Sequence, residues 1–155
     1  MRSLRSRRAF TLIEIVVFIA IASALIAVAI PKFATMIRRT REGNTKARLG
    51  TLRSALSLYA SDNMGRFPTD RLGSLAADPK YLKGGMPVAD IAGSHPTSQE
   101  VTTNDDLGKA ALEDNDLGGW SYWNSEKQKD PGYAWGAVWI GCTHTDTQGS
   151  VWTFY

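Results

Sequence analysis

The sequence predicts an α+β chain: a long N-terminal helix, membrane-spanning in its first half, packed through its second half on a small C-terminal antiparallel sheet. Three observations predict it. Residues 10–30 form an apolar run whose only charge is Glu14. Beyond Pro31, Leu49, Leu52, Leu56 and Tyr59 recur at spacings of three, four and three, the stripe of an amphipathic helix. Three aromatic-rich segments, residues 120–124, 133–142 and 150–155, close the chain with short turn-rich connections suited to hairpins.

The apolar run comes first. At about 1.5 Å per residue, 21 helical residues span about 31 Å, close to the hydrocarbon thickness of a bilayer. The run is apolar on every side, which is not the pattern of a surface helix. A chain of 155 residues has little room to bury such a rod, so membrane insertion is predicted. Basic residues on both sides, with Lys32, Arg38, Arg39, Arg41 and Lys46 after the run, nearly cancel the charge asymmetry that sets orientation. A removable secretory signal competes, with a basic start and a small-x-small site at Ala27-Val28-Ala29. Pro31 just beyond that site and a carboxylate inside the apolar region count against it.

Glu14 is the informative residue. A carboxylate inside a membrane helix costs on the order of 3 kcal/mol, less near the interface, and calls for a partner. No cation lies one turn away on the segment. The nearest candidate is a free amine at Phe10, released by a cut after Ala9. It would belong to the same chain or to a neighbour inserted about one turn out of register. The alternative is a side chain that snorkels to the headgroups.

The residues Arg7-Arg8-Ala9-Phe10-Thr11-Leu12-Ile13-Glu14-Ile15-Val16 resemble the N-terminal signal of type IV pilins and type II secretion pseudopilins. The resemblance implies a basic leader, residues 1–9, cut between Ala9 and Phe10 by a prepilin peptidase, with N-methylation of Phe10. Counted from Phe10, Glu14 is the fifth residue, the family's assembly glutamate, and Pro31 the twenty-second, its helix-bending proline. The family nearly always has glycine before the cut; Ala9 is the smallest replacement, and slower cleavage is expected. Removing the leader takes Arg2, Arg5, Arg7 and Arg8 from the 18 basic side chains. That leaves 14 against 15 acidic, so the net charge of +3 becomes −1.

After the leader the chain divides into residues 10–30 (membrane and filament-core helix), 31–63 (amphipathic helix) and 64–155 (globular head). The helix is expected to end at Asp62-Asn63-Met64-Gly65, with Pro68 blocking resumption. Gly43 and Gly50 weaken its middle by about 1 kcal/mol each relative to alanine. In the head, Asp70 is placed to cap a short helix holding Leu72 and Leu75, stopped by Pro79. Residues 83–106 read as loop, and a short helix is expected near Leu107 to Leu112. The segment from Leu58-Tyr59 through Asp62-Asn63 to Phe67-Pro68-Thr69 resembles the end of the first helix in major pseudopilins. In the middle strand candidate Tyr133, Trp135, Ala137 and Trp139 share one face, with Ala134, Val138 and Ile140 on the other. One face is expected to cover the helix, since a small sheet needs such support.

Enzyme chemistry finds little support. There is no glycine-rich phosphate loop, no GxSxG and no carboxylate pair spaced for catalysis. The single cysteine, Cys142, excludes an intrachain disulfide and a zinc site built on several thiolates. Cys142, His144 and Asp146 alternate, which invites a metal or nucleophile reading, but without further ligands the segment reads as a polar turn. His95 has no partner set and reads as loop. Glu113, Asp114, Asn115 and Asp116 offer oxygen ligands. Major pseudopilins often bind calcium in a head loop, so Asp114, Asn115 and Asp116 are weak calcium candidates; solvated charge is the default. Arg38, Arg39, Arg41, Lys46, Arg48 and Arg53 form a basic stretch, yet nothing reads bases, and nucleic acid is disfavoured.

The resemblance implies a structural, non-enzymatic subunit of an extracytoplasmic helical filament, most like the major pseudopilin of a type II secretion system. It would sit in the bacterial inner membrane as a single-pass protein, head outward, before assembly. Its partners would be further copies, the prepilin peptidase and methyltransferase, an inner-membrane assembly platform, minor pilins or pseudopilins, and membrane lipid. The alternatives are a type IV pilus pilin (adhesion, motility or DNA uptake) and a non-polymerising single-pass anchored binding module. A secreted hydrolase is disfavoured by the missing catalytic set.

Overall fold

The structure, a computed structural model, describes residues 10–107, 112, 115–127 and 132–155. It contains a 51-residue helix, α1 (Leu12–Asp62), and divides into two units, residues 1–37 and 38–155, to each of which α1 contributes.

In the first unit every large apolar side chain from Phe10 to Ile37 is exposed, and none of the most apolar 18-residue window is buried. The helix continues through Pro31, whose missing N–H leaves the Ala27 carbonyl without its usual donor. The hydroxyls of Ser23 and Thr35 bond back to the carbonyls of Ile19 and Pro31, which satisfies them without tertiary contact.

The second unit holds the core. Leu49, Leu52, Ala55 and Leu56 turn one stripe of α1 inward, as the spacing predicts. The helix stops where expected: the Gly65 N–H bonds the Ala60 carbonyl at 2.7 Å, with Gly65 at φ +83°. Helix α2 (Gly73–Ala77) follows; Leu72, expected inside it, is its N-cap residue, and Asp70, two residues further back, accepts from the Ser74 N–H at 2.7 Å without being the cap.

The sheet is mixed, where antiparallel pairing throughout is the sequence expectation. Strand β1 (Val101–Thr103) lies parallel to β2 (Trp120–Tyr122), and β2 is antiparallel to β3 (Val138–Ile140), with β2 in the centre. The register sets Val101 beside Trp120 and Trp120 beside Ile140. β1 falls inside the stretch read as loop, because three residues give too short a run for alternation to show. A crossover from 104 to 119, beginning with α3 (Asn104–Leu107), returns the chain in the same direction and makes the pair parallel.

The two other strand candidates are shorter than expected for local reasons. Residues 133–137 leave the strand because the Ala137 N–H bonds the Ala134 carbonyl in a turn and Gly136 sits at φ +90°. At the C-terminal end only a Thr145–Val151 bridge forms, followed by a 3-10 turn (Trp152–Phe154) that drives Trp152 into the core. Alternation still sorts the sheet. Trp120, Tyr122, Val138 and Ile140 join α1 in the main core, while Trp123 and Trp139 pack with Leu112, Tyr133 and Ala137 on the opposite face.

Polar ties fix the long connections to this core. The Trp120 indole donates to the Pro87 carbonyl at 2.8 Å and the Tyr122 hydroxyl to the Pro68 carbonyl at 2.7 Å. Buried Thr45 on α1 donates to the Asp90 carbonyl and accepts from the Asp90 N–H, holding residues 88–91 against the helix. Each bond satisfies a group that burial would otherwise penalise by about 1–3 kcal/mol.

Candidate functional site

The first turn of α1 is built by a capping box. Thr11 is the residue before the helix; its Oγ1 accepts from the Glu14 N–H at 3.4 Å, and the Glu14 Oε2 accepts from the Thr11 N–H at 3.5 Å. The predicted assembly residue therefore holds its carboxylate back over the helix start at the Thr11 N–H, one residue after Phe10, which is 75% exposed. Ala9 and the remaining leader residues lie outside the described residues, so the cleavage position is described from its Phe10 side alone.

The basic stretch on α1 stays at the surface, with Arg38, Arg39, Arg41 and Arg53 exposed and Lys46 and Arg48 half-buried, and most of these side chains reach partners in the head. Arg38 bonds Glu42 at 3.2 Å, Arg41 lies 3.9 Å from Asp90, and Arg48 donates to the Val88 carbonyl. Arg53 donates to the carbonyls of Val138 and Tyr155. Lys46 meets Asp146 at 2.6 Å above the Tyr155 ring.

Asp146 is fully enclosed. Its carboxylate accepts from Lys46, the Tyr155 hydroxyl and the backbone N–H groups of Gln148 and Ser150. Burial alone would raise its pKa; these four donors outweigh that and hold it well below the usual carboxylate range. The alternation Cys142, His144, Asp146 thus does not survive as a set, because Asp146 turns toward α1.

Two residues from elsewhere join Cys142 and His144 instead. His95 Nε2 lies 3.1 Å from Asp116 Oδ1, His144 Nδ1 3.1 Å from the same oxygen, and Cys142 Sγ 3.6 Å from His144 Nδ1. The four ligating atoms all fall within 4.8 Å of one another. The imidazole rings of His95 and His144 meet edge to face at 5.2 Å. Asp116 also accepts from the Thr143 N–H at 3.0 Å. Burial works to raise the Asp116 pKa, but the Thr143 backbone and the two imidazoles bring it down to about 2. Burial pushes the Cys142 thiol up to about 11. Spacing could not announce this group, since His95 and Asp116 arrive from separate loops; the sequence signal was Cys142-x-His144 alone.

Of the calcium candidates, Asn115 and Asp116 are among the described residues. Asp114 lies outside the described residues. Asn115 is buried, with its carbonyl oxygen accepting from the Leu117 N–H and its amide donating to Ser121. Asp116 faces nitrogen and sulfur donors, not an oxygen cage.

Residues 4–30 match the prokaryotic N-terminal methylation motif, the signal carried by type IV pilins and pseudopilins. No curated protein and no solved structure matches the chain significantly.

Proposed function

We propose that this chain, carrying the N-terminal methylation motif, is a structural subunit of an extracytoplasmic helical filament, and specifically the major pseudopilin of a type II secretion system. The observation that carries the reading is the match over residues 4–30, laid on a helix whose apolar half is exposed among the described residues. Such a surface is stable in lipid, or among other copies of itself that replace lipid.

The mechanism follows from the first turn. A prepilin peptidase cuts between Ala9 and Phe10, and the released amine is N-methylated. Glu14 then has a cation to face, on its own chain or on the neighbour being joined. Pairing removes an uncompensated charge from a dry setting, so a subunit in register with a neighbour's amine is favoured over one adrift in lipid. The head stays outside the inner membrane. An assembly platform extracts subunits, and minor pseudopilins complete the filament.

Two features support the pseudopilin over a pilus pilin. A lone Cys142 allows no disulfide-bounded loop. The segment resembling the major pseudopilins is built into the head: Tyr59 packs on Tyr81, Phe67 meets Trp135 edge-on, and the Pro68 carbonyl receives Tyr122.

Co-expression with a prepilin peptidase and an assembly platform tests the reading. The wild-type chain should yield sedimentable filaments, and Glu14→Ala should yield none while its membrane-inserted amount is unchanged. Filaments from Glu14→Ala at wild-type yield would overturn it. Loss of exoprotein secretion on deleting the chain supports the secretion assignment; loss of surface piliation with secretion intact points to the pilus.

A further inference from the structure

We propose that His95, Asp116, Cys142 and His144 form a four-coordinate site for a borderline transition-metal ion, zinc(II) first among them. The ligand atoms are one from each residue: His95 Nε2, Asp116 Oδ1, Cys142 Sγ and His144 Nδ1.

The geometry is close to what the ion needs. Zinc bonds of about 2.0–2.1 Å to nitrogen or oxygen and about 2.3 Å to sulfur give tetrahedral edges of about 3.3–3.6 Å. Three of the six separations are 3.1 Å (His95 to Asp116), 3.1 Å (His144 to Asp116) and 3.6 Å (Cys142 to His144), and all six lie within 4.8 Å. Side-chain shifts of under about 1.5 Å bring the set to those edges around an ion. Charge balances as well: a thiolate and a carboxylate neutralise a divalent cation, and both imidazoles bind neutral. On binding, the Cys142 thiol gives its proton to solvent and its sulfur lone pair to the metal.

Donor chemistry selects the class. One sulfur and two nitrogens against a single oxygen favour zinc over the hard ions calcium and magnesium. The surroundings orient the ligands. The Thr143 N–H, 3.0 Å from Asp116 Oδ1, fixes the carboxylate, a role usual for the groups behind metal ligands. Gly118, at φ +75°, leaves the space His95 occupies: a β-carbon there would come within 2.9 Å of the His95 β-carbon. Cys142 is buried, while Asp116 and His144 are open enough for an ion to enter.

The site would also tie together three stretches with little secondary structure: the turn at His95, the residues before β2, and the exit of β3. An ion would stabilise the head independently of whether the chain polymerises.

The test uses the full chain in detergent, purified without a metal-binding tag and stripped with chelator. Titration with zinc should give one ion per chain, retained through gel filtration, and raise Tm by about 5–10 °C at a hundredfold excess over Kd. Cobalt(II) in its place should show intense visible bands of a four-coordinate ion and a thiolate-to-metal charge-transfer band. Cys142→Ser should abolish that band and weaken zinc binding at least tenfold. Because Cys142 is buried, His144→Ala, at a half-exposed side chain, provides a second variant with the same expected weakening and a metal-free chain that still unfolds cooperatively. No zinc uptake, unaltered zinc binding by both variants, a cobalt spectrum without the thiolate band, or a Tm rise with calcium alone would each overturn the site.

Discussion

Thr11 and Glu14 hold each other's backbone N–H groups across the first turn of α1, at 3.4 and 3.5 Å. The glutamate that would meet a neighbour's amine is thus also a helix cap, and the two roles separate by substitution. Glutamine caps as glutamate does but carries no charge. Glu14→Gln should insert normally with the same helix content, yet reduce the sedimentable filament fraction at least tenfold. Wild-type assembly by Glu14→Gln would make the cap, not the charge, the working feature.

Asp146 anchors the C-terminal turn to α1 through Lys46 and to Tyr155. Asp146→Asn leaves Lys46 facing a neutral group and weakens four charge-assisted bonds, an expected loss of about 3 kcal/mol, read by denaturant unfolding of the detergent-solubilised chain. The same carboxylate predicts a pH dependence. Its folded pKa is depressed, so its contribution is fully present above the unfolded value of about 3.9 and disappears as pH falls from there toward the folded value. Wild-type stability should decline across that acid window, and Asp146→Asn should decline less.

Tyr122→Phe removes a single hydroxyl and strands the Pro68 carbonyl in the interior. An expected cost of about 1–2 kcal/mol, with no change in the aromatic packing, should appear in the same unfolding measurement.

Gly119→Ala tests the parallel edge of the sheet. Gly119 sits at φ +85°, and a β-carbon there would lie 2.7 Å from the Glu100 carbonyl oxygen, the acceptor of the Trp120 N–H. Left-handed backbone costs alanine about 1–2 kcal/mol, and displacing Glu100 breaks the entry to the β1–β2 pair, for a total of about 3 kcal/mol. Slowed amide exchange at Trp120 should be lost.

These sites differ in how far the sequence announces them. The apolar run, the inward stripe of Leu49, Leu52 and Leu56, the stop at Gly65 and the bond from the Ser74 N–H to Asp70 are local patterns, written within a few turns of one helix or one loop. Strand β1 is not local: Val101-Thr102-Thr103 becomes a strand only because Trp120 to Tyr122 returns beside it. Nor is the direction of Asp146, which alternation assigns to the face of Cys142 but Lys46, a hundred residues away, claims for α1. His95 joins Asp116 only after two loops have folded over Gly118. Short-range periodicity carries the helices; long-range convergence of loops carries the polar sites, and no single-sequence spacing encodes it.

The most direct measurement is the intact mass, with N-terminal fragmentation, of the chain recovered from membranes that contain a prepilin peptidase. A polypeptide beginning at Phe10 and heavier by one methyl group on its amine is the predicted species. A chain that keeps Met1 and the leader, or one that begins near Ile30, would contradict the account at its root.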